Sequence, residues 1–192
     1  MMELVLASQS PRRREVLTLM GIPYTADVCT EPEAADLGCS AAEMVQRLAY
    51  DKAKNVLQRH PNACVLGSDT VVLLHGAILG KPHSPDEAKA YLRRMQGQSH
   101  DVYTGVALLK ADYTDIRCEV THVTFRPMSE REIDWYVGTG EPLDKAGAYG
   151  VQGLGAVFVE RIEGNYFNVI GLPAPTVYDM LKRAKMLKED RT

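Results

Sequence analysis

The chain has 192 residues, 45% hydrophobic and 24% charged, enough for a substantial core in one globular domain covering residues 1–192. A net charge of −3 offers no basic face for bulk nucleic-acid binding, and no apolar run approaches the ~20 residues of a membrane span. Cys29, Cys39, Cys64 and Cys118 form no Cys-x-x-Cys pair, His60, His75, His83, His100 and His122 lack zinc-site spacing, and no signal-peptide core precedes the first strand-like run. A cytoplasmic protein with reduced thiols, bound to neither nucleic acid nor membrane, is expected.

Leu4 to Ala7 reads as a buried strand. Ser10 then suits an N-cap and Pro11 the first turn of a helix, with Val16, Leu17, Leu19 and Met20 as its apolar face and Gly21 as its stop. Arg12, Arg13 and Arg14 fall in the first turn, where the backbone already carries partial positive charge. That placement is unfavourable alone and favourable if a polyanion docks on the free N–H groups, serine hydroxyls and guanidinium forks. A solvated basic turn is the plainer alternative.

Residues 24–29 suggest a second strand, followed by an acidic loop with Glu31, Glu33 and Asp36. Ser40 and Glu43 form a capping box for a helix running to about His60. Its stripe is Val45, Leu48, Ala49, Ala53, Val56 and Leu57, and Lys52 falls in the middle of it. A lysine there must snorkel, pair with a carboxylate or project into a cleft.

Residues 63–67 and 70–74 are two strand-like runs on either side of Ser68-Asp69. A carboxylate between apolar runs is costly if buried unpaired, so Asp69 is expected at a strand break or bulge that aims it at a function. A turn aspartate is the alternative. His75-Gly76 reads as a turn, with Gly80-Lys81-Pro82 beyond the returning strand. A second capping box at Ser84 opens a helix that Gly97 ends. Residues 102–109 and 116–125 make a hairpin, and a third capping box, Ser129 to Glu132, starts a helix that stops at Gly138. Residues 156–162 and 166–170 are expected as a second hairpin around Glu163-Gly164-Asn165, and a last helix spans about 175–187. Hairpins mixed with helical crossovers predict an α/β fold with a mixed twisted sheet and flanking helices.

Residues 141–155 are unusually rich in glycine. No strand–glycine–helix order surrounds them, so they are not a dinucleotide fingerprint. Gln152 there offers both a donor and an acceptor that could read a base edge; a loop-wall role is the alternative.

Cleaving a triphosphate needs cations for the phosphates, carboxylates for a hard divalent metal and a base for water. Arg12, Arg13, Lys52 and Lys81 can meet the first need, and Glu31, Glu33 and Asp69 the others.

Taken in order, Leu6-Ala7-Ser8-Gln9-Ser10-Pro11-Arg12-Arg13, Leu48-Ala49-x-x-Lys52-Ala53, Gly67-Ser68-Asp69-Thr70-Val71-Val72, Gly80-Lys81-Pro82, Tyr103-Thr104-Gly105-Val106, residues 144–153 and Gly171-Leu172-Pro173 resemble the Maf, or septum-formation inhibitor, family over nearly the entire chain. The resemblance implies a nucleoside triphosphate pyrophosphatase that uses Mg²⁺ or Mn²⁺ and releases a monophosphate and pyrophosphate. It implies a fold similar to inosine triphosphate pyrophosphatases, with two lobes around a cleft. It assigns Asp69 as proton acceptor and puts Ser8, Arg13, Glu33, Lys52 and Lys81 around phosphate and metal, with Asp69 and Glu33 as metal ligands. Glu31-Pro32-Glu33 departs from the family's hydrophobic–acid–acid pattern there.

Arg12, Thr70 and Gln152 resemble the branch that prefers dTTP and UTP. The 7-methyl-GTP branch tends to carry glutamine and glutamate at the last two places. A glutamine can satisfy the imide edge of uracil or thymine, which alternates acceptor and donor. The alternatives are a nucleotide-binding regulator of septum formation with incidental hydrolysis and a 7-methyl-GTP-type enzyme. A homodimer is a candidate assembly.

Overall fold

Four consecutive apolar residues suit a parallel strand covered on both faces, and β1 (Leu4–Ala7) is buried along its whole length. It lies between β2 (Thr25–Asp27) and β3 (Cys64–Leu74), parallel to both, with Val5 opposite Thr25 on one side and Val65 on the other. The computed structural model describes residues 2–31 and 38–187. Among these, β4 (Ala77–Leu79), β5 (Ser99–Lys110), β6 (Tyr113–Phe125) and β7 (Val159–Glu163) complete a seven-stranded sheet. Its order is β2-β1-β3-β5-β6-β7, with β4 antiparallel to β3 and β7 antiparallel to β6. The expected mixed α/β architecture is present. Among the described residues no helix is long and apolar enough to cross a membrane.

The helices start where side chains can cap them. Ser10, Ser40, Ser84 and Ser129 cap α1 (Pro11–Leu19), α2 (Ala41–Arg59), α3 (Pro85–Met95) and α4 (Glu130–Gly138). The boxes at Ser40 and Ser129 are reciprocal. At Ser84 the N3 residue, Glu87, instead accepts from the backbone N–H of His83 (2.6 Å) and from the hydroxyl of Tyr91 (2.6 Å), so the predicted box is only half made. On α1, Val16 and Leu17 are buried but Leu19 is 72% exposed, which narrows the expected apolar face to two residues.

Three further expectations are corrected. Residues 64–74 form one unbroken strand, with no break or bulge at Asp69. The polar pair is tolerated inside it because both side chains are bonded: Ser68 to the carbonyl of Gly171 and Asp69 to Lys52. The supposed second hairpin is β7 followed by a short helix, α5 (Tyr166–Ile170). There the side chain of Asn165 accepts from the N–H of Phe167 (2.9 Å), and the amide of buried Asn168 donates to the Val102 carbonyl and to Thr121. Those bonds outweigh the strand preference of an aromatic and β-branched run. The last helix, α6 (Ala174–Arg183), ends four residues early, where Lys185 takes a φ of +58°.

The chain divides into two compact units, residues 1–69, 104–119 and 171–192 in one, 70–103 and 120–170 in the other. In the first, Val5, Ala7, Val65, Ala107 and Leu109 of the strands pack on Ala49, Ala53 and Val56 of α2. Two glycines set how closely that helix lies. A Cβ on Gly67 would come within 2.1 Å of the Ala49 carbonyl oxygen, and one on Gly105 within 2.2 Å of that of Val45. Helix and strands therefore meet backbone to backbone. In the second unit, Val72, Leu74, Val102, Val123 and Phe125 pack with Ala88, Leu92 and Met95 of α3 and Ile133, Tyr136 and Val137 of α4.

Candidate active site

The end of β1 and the start of α1 build the first part of the site. Ser8 follows the strand, is buried, and its hydroxyl oxygen accepts from the N–H of Ser10 (3.2 Å) and from Nη1 of Arg13 (3.2 Å). Nε of Arg13 donates to the carbonyl of Gly171 (2.8 Å). The hydroxyl of Ser68 donates to that same carbonyl (2.8 Å). The first turn thus presents a guanidinium tied at two points to the protein, beside two serines and a helix N-terminus, a set suited to an oxyanion. Arg12 is half-buried and Arg14 exposed.

Gly67, opposite Ala7, closes the pairing of β1 with β3, and Asp69 lies two residues further on. It therefore sits just past the carboxyl end of β1, where β3 runs on beyond its parallel neighbour, and the carboxyl ends of parallel strands are where open α/β sheets bind ligands. The close seating of α2 on Gly67 brings Lys52 to it: Nζ donates to Oδ1 at 2.5 Å, and the side chains are only 14% and 11% exposed. Of the three readings open to Lys52, the structure shows pairing with a carboxylate. The pair holds an anionic oxygen and a cation side by side, one able to accept a proton and the other to face phosphate.

The other singled-out residues belong to the second unit. Thr70 follows Asp69 directly and is half-buried; Lys81 and Gln152 are exposed. The Gly80 carbonyl, next to Lys81, accepts from the N–H of Gly147 (3.0 Å), linking Gly80-Lys81-Pro82 to the glycine-rich segment. That segment consists of 3₁₀ turns over Glu141–Asp144, Ala146–Ala148 and Leu154–Phe158.

Glu31 is exposed, and Glu33 and Asp36 lie outside the described residues. Among the described residues no three His, Cys, Asp or Glu side chains gather as a metal cage. Asp69 is a carboxylate of the kind that Mg²⁺ uses in ones and twos, together with substrate phosphates and water.

Ser68, the Gly171 carbonyl and Glu141 join the candidate residues only through the structure. Ser68 carried a usable signal, since a hydroxyl inside a buried strand must find a partner. Glu141 carried none, because besides the Tyr136 hydroxyl its partners are backbone N–H groups 13 and 14 residues away.

Residues 3–184 match the family described as Maf-like protein. The dTTP/UTP pyrophosphatase of Symbiobacterium thermophilum is 49% identical over 94% of this chain and 93% of its own. That of Bacillus velezensis is 47% identical over 93% and 95%. Among solved structures, the Staphylococcus aureus Ham1 protein superposes with a TM-score of 0.50 at 14% identity, over 95% of this chain and 99% of that one, a likeness of fold alone. The Ser8–Arg13 turn, the Lys52–Asp69 pair and the glycine-rich segment lie within the matched span, and the chain belongs to the Maf family.

Proposed function

We propose that this protein hydrolyses dTTP and UTP to the monophosphate and pyrophosphate. The observation that carries the reading is the Lys52–Asp69 pair beyond the end of β1, with the Arg13–Ser8 oxyanion set in the same unit. Full-length relatives at 47–49% identity that are dTTP/UTP pyrophosphatases support it.

Arg13, the serines and the first turn of α1 bind phosphate oxygens. Lys52 orients Asp69 and adds positive charge, and Lys81 supplies a further cation. Asp69 accepts the proton of the attacking water. The new P–O bond forms as the anhydride between the α- and β-phosphates breaks, and the bridging oxygen leaves with pyrophosphate. A divalent cation, Mg²⁺ or Mn²⁺, held by Asp69 and Glu33 together with phosphate oxygens, would neutralise charge on the polyphosphate. Gln152 reads the imide edge of the pyrimidine, with Arg12 and Thr70 shaping the same preference. Cytoplasmic residence and a homodimeric assembly belong to this reading; sedimentation velocity tests the assembly.

A kcat/KM panel over dTTP, UTP, dCTP, dGTP, ITP and 7-methyl-GTP tests it. dTTP and UTP should lead by at least about tenfold, the worth of one well-made hydrogen bond in a desolvated site. A lead by 7-methyl-GTP would place the chain in the other branch, and no turnover of any triphosphate would end the enzymatic reading.

A further inference from the structure

Residues 150–155 carry Gln152 but have no regular backbone ladder to hold them. Two side chains do that work from outside. The carboxylate of Glu141 accepts from the hydroxyl of Tyr136 (Oε1, 2.9 Å), from the N–H of Gly155 (Oε1, 3.1 Å) and from the N–H of Leu154 (Oε2, 2.8 Å). The Tyr136 oxygen in turn accepts from the N–H of Gly150 (3.1 Å). Gln152 is therefore bracketed: the backbone is pinned two residues before it and two and three residues after it.

Each part of the clamp is itself fixed. Tyr136 is fully buried in the core of its unit, edge-on to Phe158. The Glu141 backbone carbonyl accepts from Nζ of Lys145 (2.6 Å), which also binds Asp144 (2.7 Å). Gly153 makes room, since a Cβ there would lie 2.4 Å from Oε2 of Glu141. Burial alone would raise the Glu141 carboxyl, but the two backbone N–H groups, the tyrosine hydroxyl and Lys145 hold it below the usual carboxylate range. It is an ionised acceptor, and charge-assisted bonds of this kind are stronger than neutral ones.

We infer that Glu141, acting with Tyr136, is a positioning residue for base selection: it sets the 150–155 loop, and through the loop the amide of Gln152, without itself touching the nucleotide. The inference rests on the proposed dTTP and UTP hydrolysis. It differs from a general stabilising role in where it acts. A merely structural carboxylate would disturb every ligand alike, whereas a loop-setting one disturbs ligands that own a base.

The test compares dTTP with inorganic tripolyphosphate, a competing probe that has phosphates and no base. In E141Q one of the three donors meets an amide N–H₂ in place of an acceptor. KM for dTTP and UTP should rise by about tenfold, the inhibition constant of tripolyphosphate should stay within twofold, and the effect should fall on KM rather than kcat. Combining E141Q with Q152E should raise KM no further than the larger single change, because both act through one contact. Y136F keeps the ring in the core and deletes the hydroxyl, so it repeats the test if E141Q does not fold. Unchanged KM in both variants, equal losses for dTTP and tripolyphosphate, or additive effects of E141Q and Q152E would overturn the inference. Wild-type turnover on the same plate separates the two readings. If the wild type cleaves neither dTTP nor UTP, the proposed function fails and takes this inference with it.

Discussion

The middle of β3 and the 150–155 loop show two different ways of holding a candidate functional side chain. Asp69 lies inside a regular strand, and its partner Lys52 comes from a 19-residue helix pressed onto that strand by glycines. Gln152 lies among 3₁₀ turns whose backbone is held by one carboxylate and one phenol. A group on the first kind of frame moves only if the sheet moves, which suits the reacting centre. The second kind can be retuned by changing one or two supporting residues, which suits a choice between bases.

The contrast breaks most sharply at Asp69. Asp69→Asn keeps the shape and a hydrogen bond to Lys52 but removes the base, so kcat should fall by ~10²–10⁴-fold with the fold intact by circular dichroism. Turnover close to wild type in the folded variant would show that the rigid frame holds something other than the base. Lys52→Met is the companion change. It keeps most of the apolar stem and leaves a mostly buried carboxylate without its cation, and turnover should drop by about 10²-fold. Full activity would reduce Lys52 to a packing residue.

The core of the second unit should also respond to acid. In the second unit His100 is buried among Phe125 and Tyr149, with Nε2 bonded to the Tyr149 hydroxyl (2.8 Å) and Nδ1 lacking a partner among the described residues. Burial pushes its pKa down from 6.5 to about 4. Between those values the unfolded chain binds a proton that the folded chain refuses. Stability is therefore fully present above about pH 6.5 and declines as the pH falls towards 4, by about 3 kcal/mol in all. Urea midpoints at pH 7 and 4.5 measure this, and His100→Phe should flatten the slope. A slope unchanged in that variant would assign acid sensitivity to other groups.

A smaller effect is expected where a backbone carbonyl does the positioning. Ser68→Ala removes one of the two donors on the Gly171 carbonyl while Arg13 retains the other. The loss of about 1 kcal/mol should appear as a roughly fivefold rise in KM for dTTP, matched by tripolyphosphate, because the phosphate end is affected and not the base. Base-dependent loss would contradict the division of labour between the two regions.

Regular elements were legible because periodicity and capping residues report them. Serine caps, the apolar run of β1 and the misplaced lysine at 52 all led to features that are present. The same local reading failed at residues 64–74, where two polar side chains looked like an interruption. Their partners, Lys52 and the Gly171 carbonyl, lie 17 and 103 residues away, so nothing local announces that they are satisfied. It failed again at residues 166–170, where Asn165 and Asn168 override strand propensity through bonds to the backbone of Phe167 and to Val102 and Thr121. The clamp on the 150–155 loop was invisible for the same reason, and only the glycines, the amide of Gln152 and the order of motifs drew attention to that loop.

Phosphorus NMR of dTTP turned over by the purified protein with Mg²⁺ addresses the central claim most directly. Cleavage between the α- and β-phosphates predicts the paired appearance of dTMP and pyrophosphate, with no orthophosphate in step with substrate loss. Release of dTDP and orthophosphate would contradict it.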